Sequence, residues 1–228
     1  MTEVHTPQCI GIILDGNRRW AKAKGLPAFE GHRRGFNKVK DIMNWAKEAR
    51  VPFVVAYTFS TENWQRSPEE VSYLMGLFKE TLTLKLEELK QEGLRVRCIG
   101  DLARFSPKLQ TLMRKAEQET ASLPGPTLVL ALSYGGRAEI LQAIESVARE
   151  DKTTITEAEF SSYLWTKDIP DPDLIIRTGG ERRLSGFLTW QSVYSELFFL
   201  DTFLPDFSKD EFQAILTEFG KRERRMGR

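Results

Sequence analysis

The chain contains few of the residues that build disulfides and transition-metal centres. Among its 228 residues are 2 cysteines and 2 histidines, and they form no cluster with the spacing of a zinc site. Cys9 and Cys98 each lie within or beside an apolar run. This position favours buried free thiols over a disulfide.

Long apolar runs and an excess of charge of one sign are missing as well. No stretch approaches the roughly 18–20 apolar residues of a transmembrane helix, and the N-terminus lacks the basic and apolar regions of a signal peptide. The 33 Lys and Arg residues nearly balance the 32 Asp and Glu residues, whereas nucleic-acid-binding domains usually carry a strong basic excess. We therefore expect a cytoplasmic protein that binds no nucleic acid.

Several common functional motifs are absent. The sequence has no Gly-x-x-x-x-Gly-Lys-Ser/Thr and no Gly-x-Gly-x-x-Gly, which disfavours the usual kinds of nucleotide binding. It also has no serine nucleophile elbow of the Gly-x-Ser-x-Gly type. The chemistry of the chain must therefore come from other residues.

Apolar, strand-like runs alternate with helical patterns along most of the chain. The runs cover residues 9–14, 52–59, 94–99, 127–133 and 173–177. The helical patterns cover residues 35–49, 67 to about 91, 106–121, 137–149 and 156–165. The alternation predicts a single α/β domain over residues 1–228, with a central, mainly parallel sheet covered by helices on both faces.

The helix predicted after Ser67 is unusually apolar. The sequence Ser67-Pro68-Glu69-Glu70 is typical of a capping box with proline at the first helical position. Beyond it, apolar residues form one stripe, and further leucines lie off the stripe. This wide apolar surface has two interpretations: a helix buried in the core, or one wall of a tunnel for an apolar ligand.

A polar hexapeptide at residues 15–20 directly follows the first apolar run. The run lacks hydrophobic–polar alternation, which fits a strand buried on both faces. The hexapeptide places Asp15, Gly16, Arg18 and Arg19 where that strand would end. Ligands of open α/β sheets bind outside the carboxyl ends of the strands, so these residues indicate an anionic ligand. Asp-Gly is also a common turn dipeptide, and this alternative stays open.

Three further polar motifs follow apolar runs, at residues 60–66, 134–137 and 178–186. In a parallel sheet all of them would meet at one edge. The last combines a glycine pair, whose N–H groups can approach a phosphate closely, with Arg177, Arg182 and Arg183. We interpret it as an anion site; the alternative is a solvated basic loop paired with Glu181.

An oxygen-ligand Mg²⁺ site suits these residues, because Mg²⁺ binds through one or two carboxylates together with substrate phosphates. Asp15 is the first candidate ligand and Glu196 the second. His32 is either a hydrogen-bond donor to a pyrophosphate or a structural histidine.

Five motifs, in this order, resemble those of the cis-prenyltransferases, in particular the undecaprenyl and related polyprenyl diphosphate synthases. They are Asp-Gly-Asn-x-Arg-Trp-Ala at 15–21, Gly-His-x-x-Gly at 31–35, Phe-Ser-x-Glu-Asn-Trp-x-Arg at 59–66, Tyr-Gly-Gly-Arg at 134–137 and Ile-Arg-Thr-Gly-Gly-Glu-x-Arg at 176–183. The resemblance extends from about residue 10 to the basic stretch at 222–225.

The resemblance implies an enzyme that adds isopentenyl diphosphate to an allylic diphosphate, commonly farnesyl diphosphate, and makes each new double bond Z. The product would be a polyprenyl diphosphate, the precursor of a lipid carrier. The family also implies Mg²⁺ dependence and a homodimer. Because the product is a lipid, we expect peripheral contact with the inner face of the membrane.

The resemblance further implies roles for individual residues. Asp15 would be the essential acid near Mg²⁺ and the leaving pyrophosphate, Asn63 would take part in proton removal, and Glu196 would join the metal site, partly across the dimer. The allylic substrate would be surrounded by Gly16, Asn17, Arg18, Arg19, Trp20, His32 and Arg66. Isopentenyl diphosphate would be bound by Ser60, Thr61, Glu62, Trp64, Arg177, Arg183, Leu184 and Ser185.

Four positions depart from the family pattern: Ala28 replaces an arginine, Ser133 and Gly186 replace asparagines, and Arg182 replaces a histidine. These departures leave the preferred primer and the product length open. The alternatives are a short-chain Z-prenyl diphosphate synthase or an enzyme that couples two allylic units, a noncatalytic subunit of a heteromeric prenyltransferase, and a phosphoester hydrolase that uses Asp15 as a Mg²⁺ ligand.

Overall fold

A parallel β-sheet forms the centre of the protein. The computed structural model describes residues 6–222. The strands are β1 (Cys9–Ile13), β2 (Phe53–Ser60), β3 (Arg95–Ile99), β4 (Thr127–Tyr134), β5 (Leu174–Arg177) and β6 (Glu196–Phe199). They lie in the order β3-β4-β2-β1-β5-β6, and every neighbouring pair is parallel. The predicted parallel sheet is confirmed, although β6 was not predicted.

Helices cover the sheet and connect its strands. Within residues 6–222 the α-helices are α1 (Asn17–Ala23), α2 (Ala28–Glu48), α3 (Pro68–Thr81), α4 (Leu86–Gln91), α5 (Pro107–Thr120), α6 (Gly136–Arg149), α7 (Glu157–Ser161) and α8 (Lys209–Lys221). Short 3-10 helices lie at Thr61–Gln65, Leu102–Arg104 and Leu204–Asp206. None of the helices in the described part of the chain has both the length and the hydropathy to cross a membrane.

Strand β1 is buried on both faces, as its uninterrupted apolar sequence predicts. Ile10 and Ile12 belong to the larger core, which α2, α3, α5 and α8 cover. Cys9 and Ile13 belong to a second cluster that includes Phe187, and α6 and α7 form a third cluster beside it. Both faces of the sheet are therefore covered. The two cysteines are buried and free, as expected.

The uninterrupted helix predicted for residues 67 to 91 is wrong. Residues 82–85 separate α3 from α4. In this segment Thr83 Oγ1 donates to Lys79 O at 2.7 Å. The backbone N–H groups of residues 83–85 all donate to the Glu80 carbonyl. A threonine hydroxyl that bonds to the carbonyl four residues earlier bends a helix. Because the apolar stripe continues across the break, periodicity did not reveal it.

Other helix boundaries also differ from the predicted ones. Helix α2 begins at Ala28 rather than at residue 35, so the Gly-His-x-x-Gly motif lies inside this helix. The helix predicted for residues 156–165 ends at Ser161. Helices α1 and α8 were not predicted. Only the first half of the capping box at α3 forms, since Ser67 accepts from the Glu70 N–H while the Glu70 side chain points elsewhere.

Candidate active site

The polar motifs that follow β1, β2, β4 and β5 meet at one edge of the sheet, because the carboxyl ends of parallel neighbours lie side by side. A cavity of about 220 Å³ opens at this edge. Its lining includes the predicted site residues Asp15, Asn17, His32, Ser60, Asn63, Arg66, Arg177 and Ser185. The cavity thus brings together residues of the motifs after β1, β2 and β5 with His32 of α2, whereas the motif after β4 lines a different cavity.

Asp15 and Arg177 form the centre of this edge. Arg177 Nη2 donates to Asp15 Oδ2 at 2.8 Å, and the Gly16 N–H donates to Oδ1 at 2.7 Å. Arg19 Nη2 lies 3.2 Å from the same Oδ1. Burial opposes ionisation of Asp15, but the hydrogen bonds from Arg177 and Gly16 outweigh it and hold its pKa below the ordinary value. Asp15 is therefore ionised at neutral pH.

Gly16 lets the chain turn from β1 into α1. Its φ is 100°, and a Cβ at this position would lie 2.7 Å from Phe203 Cδ1. Only glycine fits both the left-handed backbone and the close approach. Helix α1 then presents Arg18 and Arg19 to the site. Trp20 lies elsewhere, because its buried indole donates to Asp206 Oδ1 at 2.8 Å and lines none of the cavities described here.

Glu70 lies among three cationic or potentially cationic side chains. Its Oε1 accepts from Arg66 Nη1 at 2.8 Å and lies 3.1 Å from His32 Nε2, while Arg18 Nη1 is 3.6 Å from Oε2. Burial disfavours the charged carboxylate, yet Arg66 and its neighbours hold the pKa of Glu70 below the ordinary value. The sequence indicated Glu70 only as a helix cap, so this arrangement was missed.

His32 is a buried histidine of helix α2. Burial lowers the pKa of His32, and the hydrogen bond to Glu70 opposes this shift without overcoming it. The imidazole is therefore neutral at pH 7. It lines the cavity of about 220 Å³ and an adjoining cavity of about 300 Å³. His32 is therefore structurally paired and faces the site, and its role as a donor to a pyrophosphate stays a prediction.

The predicted anion-binding arginines lie at the end of β5 and in the loop that follows it. Arg177 is 4% exposed, and its Nη1 donates to Ser185 Oγ at 2.9 Å and to the Arg183 carbonyl. Arg177 Nε is buried without a partner among the described residues. Arg183 is exposed, pairs with Glu181 and lines the cavity of about 300 Å³. Arg182 is exposed and lines neither cavity.

The loop after β2 folds into the 3-10 helix Thr61–Gln65. Asn63 Oδ1 accepts from the Ser60 N–H at 3.1 Å, which fixes the amide at the cavity wall. Thr61 and Glu62 line a third cavity, of about 510 Å³, which also contains Ser185. Trp64 packs against the core instead, and its Nε1 donates to Ser133 Oγ at 3.0 Å.

Two positioning residues were not singled out from the sequence. Tyr57 reaches from β2 to the basic loop, where its hydroxyl donates to the Ser185 carbonyl at 3.3 Å. Glu139 is fully buried in α6 and accepts from Tyr134 Oη at 2.5 Å, from Thr166 N at 3.0 Å and from Gln191 Nε2 at 3.0 Å. No local pattern indicated either role, since Ser185 lies 128 positions from Tyr57, and Thr166 and Gln191 lie 27 and 52 positions from Glu139.

A match over nearly the whole sequence decides the family. A family model described as "Putative undecaprenyl diphosphate synthase" matches residues 13–227, a span that contains all four strand-end motifs. The chain belongs to this family. The predicted resemblance to cis-prenyltransferases is thereby confirmed.

Relatives within the undecaprenyl diphosphate synthase family match nearly the whole of this chain. An isoprenyl transferase from Thermotoga maritima is 44% identical over 225 residues, which cover 97% of each chain. A Thermobifida fusca protein named trans,polycis-polyprenyl diphosphate synthase ((2Z,6E)-farnesyl diphosphate specific) is 43% identical over 227 residues, covering 97% of this chain and 80% of its own.

A solved structure supports the same fold. The crystal structure of lavandulyl diphosphate synthase from Lavandula x intermedia in complex with dimethylallyl diphosphate has a TM-score of 0.92 at 33% identity. The similarity covers 98% of this chain and 99% of that one. The predicted single-sheet α/β architecture of the family is confirmed.

Glu196, the second candidate metal ligand, does not lie beside Asp15 within this chain. Strand β6 pairs Glu196 with Leu174 at the start of β5, whereas Asp15 follows the carboxyl end of β1. Arg222 Nη1 donates to Glu196 Oε2 at 2.5 Å. Over residues 6–222, no three Cys, His, Asp or Glu side chains are grouped to hold a metal. One carboxylate, Asp15, beside an open cavity fits a Mg²⁺ ion that shares its coordination with substrate phosphates.

None of the four departures from the family pattern lines the cavity of about 220 Å³ or that of about 300 Å³. Ser133 has φ 48°, a left-handed conformation that asparagine also tolerates, and its hydroxyl accepts from Trp64. Ala28 begins α2 and is exposed, and Gly186 lines the third cavity. Leu184 packs at the edge of the second apolar cluster rather than in the cavity. Residues 223–225 of the basic terminal stretch lie outside the described residues.

Proposed function

We propose that this chain is a cis-prenyltransferase that joins isopentenyl diphosphate to an allylic diphosphate, with farnesyl diphosphate as primer. Repeated additions would give a Z-configured polyprenyl diphosphate, a precursor of a lipid carrier. One observation carries the proposal: the Asp15–Arg177 pair lies where two cation-lined cavities meet. Such a site can hold two diphosphates side by side, which makes their condensation effectively intramolecular.

The two cavities suggest how the substrates are arranged. Arg18, Arg19, His32 and Arg66, together with the N-terminal end of α1, line the cavity of about 300 Å³, where we assign the allylic diphosphate. On the other side of Asp15, Arg177 and Ser185 line the cavity of about 220 Å³, and we assign them to isopentenyl diphosphate. Arg183 lines the cavity of about 300 Å³ instead. Arginine forks suit phosphate oxygens, and neutral His32 can still donate one hydrogen bond.

The reaction starts when the allylic C–O bond breaks and its electron pair leaves with the pyrophosphate. The arginines stabilise the negative charge that develops on the leaving group. The isopentenyl double bond then supplies the electron pair of the new carbon–carbon bond, and loss of a proton forms the new Z double bond. Because Asn63 Oδ1 already accepts from Ser60, we assign Asn63 a positioning role and the proton to a pyrophosphate oxygen.

Mg²⁺ belongs to this proposal as the cofactor. Asp15 would hold it, since its carboxylate stays ionised and faces the open cavity. When bound, Mg²⁺ neutralises charge on the departing pyrophosphate. Glu196 lies at the opposite end of the sheet in its own chain, so we propose that it contributes to a metal site only across a dimer.

The homodimer would form on an apolar surface at the β6 edge of the sheet. Val193, Tyr194 and Leu197 are 74%, 62% and 39% exposed, and Leu141 and Ile144 of α6 are 61% and 50% exposed. Large exposed apolar surfaces of this kind mark protein–protein contacts. Sedimentation velocity of the wild type and of a Tyr194→Asp variant tests this surface. We expect the wild type to sediment as a dimer and the variant as a monomer. Equal sedimentation coefficients would contradict a dimer on this surface.

The growing hydrocarbon chain needs an apolar space beside the diphosphates. Burial of one five-carbon isoprene unit stabilises the complex by up to about 4 kcal/mol, at about 0.8 kcal/mol per carbon. An apolar cavity lined by α2 and α4 adjoins the cavity of about 220 Å³, and we assign the hydrocarbon chain to it. We further propose that a long product draws the enzyme to the cytoplasmic face of the membrane, where the lipid leaves.

One experiment separates this proposal from its alternatives. The purified chain is incubated with labelled isopentenyl diphosphate, Mg²⁺ and primers of increasing length, and the products are sized. Long products support a polyprenyl synthase, and products of a few units support a short-chain synthase. Release of phosphate without condensation would support a hydrolase. No condensation with any primer, or condensation only after a partner protein is added, would support a noncatalytic subunit.

A further inference from the structure

Positive charge is concentrated between the start of α1 and the first part of α2. Residues 17–34 contain six of the 33 Lys and Arg residues but only one of the 32 Asp and Glu residues, Glu30. This segment is therefore strongly basic, whereas the rest of the chain has more acidic than basic residues. Arg18 and Arg19 line the cavity of about 300 Å³. The other four cations line none of the three cavities at the site: Lys22, Lys24, Arg33 and Arg34.

These four cations are exposed, and most of them have no acidic partner. Arg34 Nε lies 2.9 Å from Glu30 Oε1, and within residues 6–222 it is the only one of the four that pairs with a carboxylate. Unpaired like charges on one surface repel each other and so do not stabilise the fold. Their grouping beside the substrate site favours an external anionic partner.

Two large apolar side chains are exposed in the same segment. Leu26 and Phe29 are 41% and 40% exposed, and every residue from 22 to 29 is exposed. The ring of Phe29 packs on Tyr73 of α3, with the ring centroids 4.5 Å apart. Arg33 follows Phe29 by one helical turn and lies on the same face of α2. We define the basic–apolar surface by five residues: Lys22, Lys24, Leu26, Phe29 and Arg33.

The connection between α1 and α2 holds this surface in a defined conformation. The Gly25 N–H donates to Lys22 O at 3.1 Å. The Leu26 N–H donates to Ala21 O at 2.9 Å. Together with the left-handed φ of 67° at Gly25, these are the two hydrogen bonds of a Schellman motif. Pro27 then precedes the first residue of α2. Because the backbone is already ordered, binding through this surface costs little conformational entropy.

We infer that the basic–apolar surface binds an anionic lipid bilayer, with Leu26 and Phe29 in the headgroup region and the cations beside the lipid phosphates. A bilayer suits this surface better than a soluble acidic protein does, because membrane-surface segments combine exposed apolar side chains with Lys and Arg. The inference rests on the proposed prenyltransferase function, whose product is itself a lipid. Since Arg19 and His32 flank the surface in the chain and line the cavity of about 300 Å³, docking brings the substrate site close to the bilayer.

Cosedimentation with vesicles tests the cations of this surface. One set of vesicles contains equal parts phosphatidylglycerol and phosphatidylcholine, and the other contains phosphatidylcholine alone. The wild type should bind the anionic set more tightly, and added salt should weaken this binding. Lys22→Gln combined with Lys24→Gln should lower the partition coefficient by about tenfold or more, at about fivefold for each cation near an anionic surface. The matched control, Lys108→Gln with Lys115→Gln, removes two exposed cations of α5 and should bind nearly as the wild type does.

A second pair of variants tests the apolar side chains. Leu26→Ser should lower the partition coefficient for the anionic vesicles by about threefold to tenfold, because a leucine in the headgroup region is removed from water. Leu84→Ser is its control, since Leu84 lies between α3 and α4 and is 76% exposed. This control should leave vesicle binding unchanged.

The outcomes separate the inference from the proposed function. Failure of the wild type to bind anionic vesicles would overturn the inference and favour a soluble acidic partner. Equal binding by the wild type and both surface variants, or an equal loss in the controls, would overturn it as well. Condensation of isopentenyl diphosphate is measured in the same proteins without vesicles and should be unchanged in all four variants. No condensation by the wild type, alongside normal vesicle binding, would refute the proposed function while the surface remained a lipid-binding one.

Discussion

Arg177 and Asp15 are separated by 162 positions in the sequence, yet Arg177 Nη2 donates to Asp15 Oδ2 at 2.8 Å. The contact exists because β1 and β5 are neighbours in the sheet, with Ile13 paired to Arg177. The buried guanidinium and the carboxylate neutralise each other at the edge where the polar motifs meet. Several consequences of this arrangement can be measured.

Substitution of Asp15 should abolish turnover without unfolding the protein. Asp15→Ala removes the carboxylate that faces the cavity of about 220 Å³. We expect kcat to fall by at least about 100-fold, as for other groups that stabilise transition-state charge. Steady-state assays with labelled isopentenyl diphosphate and circular dichroism measure the two properties. Asp151→Asn, at an exposed turn with φ 53°, is the control. Near-normal rates in Asp15→Ala would remove Asp15 from the reaction.

The pKa of Asp15 should depend on Arg177. The pKa of Asp15 is lower in the folded protein than in the unfolded chain, so the ionised carboxylate stabilises the fold. This stabilisation is complete above the unfolded-state pKa of about 3.9. It is lost as the pH falls through the folded-state pKa. In Arg177→Met the pKa of Asp15 should rise, because the principal hydrogen-bond donor is gone. NMR titration of the Asp15 carboxyl carbon measures it in both proteins. An equal midpoint in both would show that Arg177 does not hold the carboxylate.

Glu70 should compete with the allylic diphosphate for cations. Glu70→Gln keeps an acceptor for Arg66 but removes the negative charge, so we expect the KM for the allylic primer to fall by about threefold to tenfold, or about 1 kcal/mol. The neighbouring Glu69, which is exposed, provides the control variant Glu69→Gln. A raised KM in Glu70→Gln alone would mean that the carboxylate instead orients Arg66 and His32 for substrate.

The buried Glu139 should matter for stability more than an exposed glutamate of the same helix. Glu139→Ala leaves the buried donors of Tyr134, Thr166 and Gln191 without their acceptor, at a cost of about 3 kcal/mol. We expect Tm to fall by about 6–12 °C in a chain of this size. Glu145→Ala removes only an exposed pair with Arg149 and should change Tm little. Equal Tm values for the two variants would contradict this role.

Release of the product should limit turnover if the product is long. Transfer of a buried polyprenyl chain from a protein cavity to water has a large free-energy cost, whereas transfer to a detergent micelle does not. Added nonionic detergent should therefore raise the steady-state rate and leave the first turnover unchanged. Rapid-mixing assays separate the two phases. If the product is long and detergent has no effect, slow release is not the limiting step.

The buried strands could be predicted because their sequences are unambiguous. Residues 9–14 and 127–133 are continuous apolar runs, which in an α/β protein form parallel strands covered on both sides. Strand β6 escaped prediction because it has only four residues and begins with Glu196, so it forms no continuous apolar run. The break between α3 and α4 escaped for another reason: the hydrogen bond from Thr83 to Lys79 leaves the apolar stripe intact.

The sequence by itself determined the first five strands, the parallel sheet and the strand-end motifs with Asp15, Asn63 and Arg177, because these depend on local runs and spacings. Only the tertiary structure decided which side chains meet. It directs Glu70 to Arg66 and His32, turns Trp20 and Trp64 toward the protein interior, and separates Glu196 from Asp15 within one chain. The reason is physical: such contacts depend on strand order, register and helix ends, which bring together residues that no local pattern connects.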